Sequence, residues 1–211
     1  MAYDHEEQEQ LDELKAWWKE YGNLVLLVVA AVAVAIGGFQ GWRQYQHNRS
    51  VAAATLYQQL EQAEGAGDQK KVRDIAGQIL GGYGSTPYGT FAALSSARAS
   101  FDTGDLAAAK TQLNWVMSNA REDEIRDIAR LRLAGVLLDE KNYAEALKQL
   151  ETKPVESLAS LYSDLKGDVL AAQGKKAEAR NAYQLALDRS DPGSPYRSIV
   201  QLKLDAIGDV R

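Results

Sequence analysis

Cysteine is missing from all 211 residues. That excludes disulfides, thiolate nucleophiles and cysteine-ligated metals, while leaving an oxidising compartment open to the chain. Histidine occurs only as His5 and His47, on either side of an apolar run, so a nucleophile-base pair or a zinc site has few possible members. Proline is restricted to Pro87, Pro154, Pro192 and Pro195, and no apolar-polar alternation lasts beyond a few positions, which argues against strands. An excess of one charge is also lacking beyond the start of the chain. Residues 1 to 23 hold seven acidic residues against Lys15 and Lys19, but residues 43 to 211 balance at 22 against 22. Such a surface has no basic stripe for a phosphate backbone, and no nucleic-acid partner is expected.

Two further motifs read as structure rather than chemistry. The run Gly81, Gly82, Gly84 has neither the preceding strand nor the lysine of a phosphate loop. Glu122, Asp123 and Glu124 with Asp127 precede a helix, where carboxylates suit the N-terminal dipole, and this favours a helix start over a hard-cation site. No cofactor, metal or catalytic residue is expected.

What the chain does contain is one long apolar run. Leu24 to Phe39 is sixteen residues without a charge, amide or hydroxyl, ten of them Leu, Val, Ile or Phe. It has no polar face to turn to water, and insertion into lipid is favoured by roughly 3 to 6 kcal/mol. Sixteen residues cover only about 24 Å, so the flanks must complete a span of ~30 Å. Trp17, Trp18 and Tyr21 on one side and Trp42 and Tyr45 on the other are placed as membrane-interface anchors. A cleaved signal is the competing reading, because Ala33-Val34-Ala35 has the small-x-small form. The long acidic segment before it is unlike the short basic start of a signal. Gly37 and Gly41 have the spacing of a possible contact between transmembrane helices. Lys15 and Lys19 before the span tie with Arg43 and Arg49 after it, so charge alone does not set the orientation.

Behind the span, Ala, Leu, Gln and charged residues predict an all-helical domain. Turn signals divide it at EGAGD (64 to 68), GYGSTP (82 to 87), DTGD (102 to 105), EKN (140 to 142), AQGK (172 to 175) and DPGSP (191 to 195). Gly67, Gly104, Lys141 and Gly174 are separated by 37, 37 and 33 residues, close to the ~34 of a tetratricopeptide hairpin. Seven positions before these turns stand Ala97, Ala134 and Gly167, and five positions after them Ala109, Ala146 and Ala179. Small residues there let the paired helices cross closely. Leu113, Leu150 and Tyr183 follow as bulky fillers. The first copy is irregular, with Val72 at the later small position. The last segment, 196 to 208, is expected to cap the stack through Ile199, Leu202 and Ile207, with Leu204 beside them.

The acidic start, the span ending in GW, LYQQLEQA, TPYGTFAALSSARASFDTGDLAAAKTQLNWV (86 to 116) and ARLRLAGVLLDEKNYAEALKQLE together resemble the YfgM-like ancillary subunits of the bacterial SecYEG translocon. The resemblance runs over essentially the whole chain, and 86 to 116 is its most specific piece. It implies a single-pass inner-membrane protein: 1 to 22 an acidic cytoplasmic segment, 23 to 43 a transmembrane helix, 44 to 211 a periplasmic tetratricopeptide-like solenoid with a C-terminal capping helix. The partners it implies are the translocon and periplasmic chaperones, including a membrane-anchored prolyl isomerase.

Stacked hairpins present a face lined by the first helix of each pair. The register places Phe91, Leu94, Arg98 and Phe101 there, then Ile128, Leu131 and Leu138, then Leu161 and Asp164. This possible partner groove is mostly apolar and lacks the basic and amide set with which some tetratricopeptide proteins hold a terminal carboxylate. Packing of these side chains against one another or against 196 to 208 is the competing reading. Two functions follow: an adaptor at the translocon linking exported chains to chaperones, or a general tethered scaffold for another envelope complex.

Overall fold

A computed structural model describes residues 3 to 208, with side chains described from residue 10 onward. Among the described residues there is no strand. The described residues form nine α-helices, α1 (Tyr3–Gly65), α2 (Gln69–Tyr83), α3 (Pro87–Asp102), α4 (Leu106–Asn119), α5 (Asp123–Asp139), α6 (Tyr143–Leu150), α7 (Ala159–Ala172), α8 (Lys176–Asp188) and α9 (Tyr196–Ile207), with a 3₁₀ turn at Glu156–Leu158 before α7. The chain divides into two compact units, Met1–Val51 and Ala52–Arg211.

The first unit is helical throughout its described length, and its apolar side chains face outward. Leu24, Leu27, Val34 and Phe39 are all exposed, the reverse of what water tolerates over so long a run. A helix this apolar all round is suited to lipid, and α1 is the one described helix long and apolar enough to cross a membrane. The acidic side chains between Asp4 and Glu9 lie outside the described ones.

The second unit is a ladder of hairpins whose corners share one construction. Gly67, Gly104 and Gly174 have φ of 70°, 80° and 77°, and Lys141, the one described non-glycine residue with positive φ, has 58°. At each corner this residue donates its N–H to the carbonyl three back, and the next residue donates to the carbonyl five back. The pairs are Gly67 to Glu64 and Asp68 to Ala63 (both 3.0 Å), Gly104 to Phe101 and Asp105 to Ser100 (2.9 and 2.8 Å), Lys141 to Leu138 and Asn142 to Leu137 (both 2.8 Å), and Gly174 to Ala171 and Lys175 to Leu170 (both 2.9 Å). These are Schellman ends, which satisfy the last carbonyls of one helix and favour glycine at the left-handed position. Asp68 and Asp105 then cap the next helix, accepting from Lys71 N–H and Ala108 N–H at 3.0 Å, as an N-cap carboxylate does.

Two breaks in the helical pattern carry no glycine and were not among the expected turns. One, at 120 to 122, is held by Arg126, whose guanidinium donates to the carbonyls of Ala120 (2.9 Å) and Arg121 (3.2 Å). The other, 151 to 158, includes Pro154 and is pinned where Val155 N–H donates to Asp127 Oδ2 at 2.9 Å. The first is held by a side chain from the second turn of the following helix and the second by one 28 residues away, and neither carries the glycine that marks the other corners.

Inside the hairpins, size is traded between facing positions. By register Ala97 corresponds to Leu113 and Ala134 to Leu150, all buried in one core cluster. In the first hairpin the sizes invert to Leu60 and Ala76. In the last they reach Gly167 and Tyr183, where a Cβ on the glycine would stand 2.5 Å from the ring. Close packing demands such compensation, because a core at crystal-like density has no room for one more methyl and none to lose one. Ala109, Ala146 and Ala179 are fully buried, as is Val72 in the first copy.

The end of the stack corrects one expectation. The face of α9 that packs is Val200 and Leu204, with Tyr196 and Ile207 beside them; Ile199 and Leu202 are exposed. Both stripes of this helix are apolar at helical spacing, and only the neighbouring helix decides between them.

Candidate partner groove and membrane helix

Helices α3, α5 and α7 are the first members of successive hairpins, and their exposed sides meet at a cavity of about 480 Å³. Phe101 and Arg98 reach it from α3, Leu138, Arg132 and Gly135 from α5, and Leu165 from α7. This volume is within the ~300 to 1,000 Å³ of typical ligand clefts. Phe101, 38% exposed, is an aromatic left uncovered at its edge. A Cβ added at Gly135 would meet nothing within 4 Å, so the floor is open there.

The other expected groove residues divide. Leu94 is only 9% exposed and belongs to the core. Phe91 lies beside Tyr57, ring centroids 6.2 Å apart. Ile128, Leu131 and Leu161 are half-buried and lean on the core from its rim. Asp164 leaves the groove altogether: it is buried, and its Oδ2 accepts from Tyr196 Oη and from Lys203 Nζ, the latter at 2.8 Å. Asp168 completes that clamp, accepting from Tyr183 Oη at 2.8 Å and Lys203 Nζ at 2.7 Å. Burial alone would lower the Lys203 pKa. The hydrogen bonds to Asp164 and Asp168 outweigh it and hold the ammonium above its usual value. The clamp fastens α9 to α7.

The groove is more basic than the sequence suggested. Arg132 and Gly135 were missed, although they share the α5 face of Ile128, Leu131 and Leu138 at three- and four-residue spacing. Arg132 has no hydrogen bond or ion pair among the described residues. Although the residue is exposed as a whole, the burial around its guanidinium lowers its pKa from the ordinary value, and the like charge of Arg98 lowers it further. Arg98 is paired only loosely, 3.8 Å from Asp102 on its own helix.

Asp127, the member of the acidic cluster buried within α5, is committed elsewhere. Its Oδ1 accepts from Arg130 at 2.6 Å and its Oδ2 from Val155 N–H. Among the described residues no group of three or more His, Asp or Glu side chains is arranged for a metal.

Along the apolar helix, Trp17 and Tyr21 stand with ring centroids 6.0 Å apart and Trp42 and Tyr45 6.1 Å apart. Trp18 lies over Gly22, whose Cβ would meet the indole at 3.1 Å. Tyr21 and Trp42 are 21 positions apart, or about 32 Å of helix, which matches the hydrocarbon thickness of a bilayer. Gly37 and Gly41 share one face with nothing within 4 Å of either.

Comparison with known proteins agrees with this architecture. The family described as tetratricopeptide repeat-like domain matches residues 15 to 209. Two solved structures of MamA superpose with TM-scores of 0.55 and 0.56 at 19% and 17% identity, covering 72% and 74% of this chain and 85% and 88% of theirs; they establish the solenoid fold alone. Proteins named ancillary SecYEG translocon subunit are similar over nearly the full length. That of Neisseria gonorrhoeae is 34% identical over 98% of this chain and 100% of its own. That of Haemophilus influenzae is 30% identical over 88% and 91%, and that of Escherichia coli 26% over 94% and 95%. A membrane protein with one N-terminal span and a tetratricopeptide-like solenoid, the chain belongs to the family of ancillary SecYEG translocon subunits.

Proposed function

We propose that the protein is a membrane-anchored adaptor at the SecYEG translocon, which acts by protein-protein contact and has no catalysis of its own. The observation that carries this reading is near-full-length similarity to relatives that bear the translocon's name. In it, α1 crosses the inner membrane once, with the acidic N-terminus in the cytoplasm and the solenoid in the periplasm. The face Gly37 and Gly41 present has room for a neighbouring helix, and small residues at that spacing permit close approach. The solenoid meets exported chains and periplasmic chaperones, a membrane-anchored prolyl isomerase among them, through the groove edged by Phe101 and Leu138.

Photocrosslinking residues placed at Gly37 and Gly41 in intact membranes test the docking. Channel subunits recovered from both positions support the adaptor; adducts with other envelope proteins and none with the channel favour a general scaffold. Charged replacements at Phe101 and Leu138 are expected to weaken capture of solenoid partners while the far-ultraviolet dichroism stays helical. Unchanged capture in the double variant would remove the groove from the mechanism.

A further inference from the structure

We infer that the α3–α5–α7 groove selects, among extended apolar segments, those carrying a single internal carboxylate side chain, which Arg132 receives. The inference rests on the adaptor reading above and specifies the chemistry of what the groove takes. Three observations carry it. The walls supply apolar contact: Phe101, Leu138 and Leu165 face a cavity of about 480 Å³, enough for a few side chains and too small for a folded partner. The floor is open at Gly135, so a backbone can approach α5.

The third observation is charge. A guanidinium partly withdrawn from water beside apolar walls, with no protein partner, is a ready donor to an entering anion. Arg132 is in this condition: it is ion-paired to no described residue, and the influences on it are burial and Arg98. Of the nearby acids, Asp102 pairs with Arg98 at 3.8 Å. Asp139 lines the same cavity but forms no ion pair with Arg132 among the described contacts. Within the cavity lining two arginines stand against one acid, Asp139, and Asp102 engages Arg98 from outside it, which leaves Arg132 as the cation without a partner among the described residues. A carboxylate entering here pairs with Arg132 and accepts two hydrogen bonds from it in the planar geometry that guanidinium favours.

The test uses the full-length protein in detergent micelles and a fluorescein-labelled dodecapeptide of Leu, Ala and Gly, amidated at its C-terminus, with a central Glu. The same peptide with Gln at that position is the control. Fluorescence anisotropy is expected to give about tenfold tighter binding of the Glu peptide. Arg132→Gln is expected to abolish that preference while keeping the weaker binding of the Gln peptide. Gly135→Leu, which fills open space and adds a better helix former, is expected to block both peptides. Equal binding of the two peptides to the unmodified protein, still blocked by Gly135→Leu, overturns the carboxylate preference and leaves the groove standing. A preference that survives Arg132→Gln overturns the assignment to that residue. Absence of any binding sensitive to Gly135→Leu overturns both this inference and the client groove on which it rests.

Discussion

Tyr162 shows how one side chain fixes a junction that no local signal marks. Its ring is buried, and its hydroxyl donates to the Asp127 carbonyl at 2.9 Å, beside the Asp127 carboxylate that holds Val155. Burial, with a smaller contribution from the Asp127 charge, pushes the phenol up to about 12. In the unfolded chain the group ionises near ~10. The folded state then keeps a proton that the unfolded state loses, so this stability is complete below pH 10 and drains away as pH rises towards 12. The loss amounts to about 2 to 3 kcal/mol in all. Tyr162→Phe is expected to cost about 1 kcal/mol at pH 7 and to flatten the decline between pH 10 and 12, as read from urea midpoints. Parallel declines in the two proteins would refute this role. The residue scale is also where the sequence was least informative. Tyr162, Asp127 and Arg132 are ordinary helix residues until another helix is set beside them. Lys141 was legible as a corner only because glycine fills the equivalent place in the other three.

At the scale of the element, the hairpin is the unit that sequence reveals best. Corner spacing and small residues are local, and they survive into the structure as left-handed turns and buried alanines. The two breaks without glycine were hidden because side-chain hydrogen bonds maintain them, one from Arg126 nearby and one from Asp127, 28 residues away, and the packed stripe of α9 was hidden because its other stripe is equally apolar. Size exchange within hairpins predicts a specific coupling. Gly167→Ala drives a methyl into the Tyr183 ring, and is expected to lose about 1 to 2 kcal/mol despite the better helix propensity of alanine. Tyr183→Leu recreates the Ala and Leu pairing of the middle hairpins. The double variant is therefore expected to be more stable than the sum of the singles by at least ~1 kcal/mol. Additive effects in denaturant melts would mean that the two positions do not share space.

For the whole molecule, fold class and membrane anchoring were open to sequence reasoning, since both rest on composition over long windows. Orientation was not: Lys15 and Lys19 against Arg43 and Arg49 cancel, and the periplasmic placement is part of the proposed function. The absence of cysteine makes it directly measurable, because any introduced thiol is unique. Ser118→Cys, on the exposed side of α4, is expected to react with a membrane-impermeant maleimide in intact spheroplasts. Lys15→Cys is expected to react only after lysis. Labelling of Lys15→Cys in unbroken spheroplasts would invert the topology and remove periplasmic partners from consideration.

The four corners made to one pattern have a mechanical outcome. Helices in the ladder touch mainly their sequence neighbours, α5 and α7 adding a contact across one hairpin, so disturbance spreads only to adjoining members. Pulled from its C-terminus, such an array gives way rung by rung, and release of α9 leaves the earlier rungs standing.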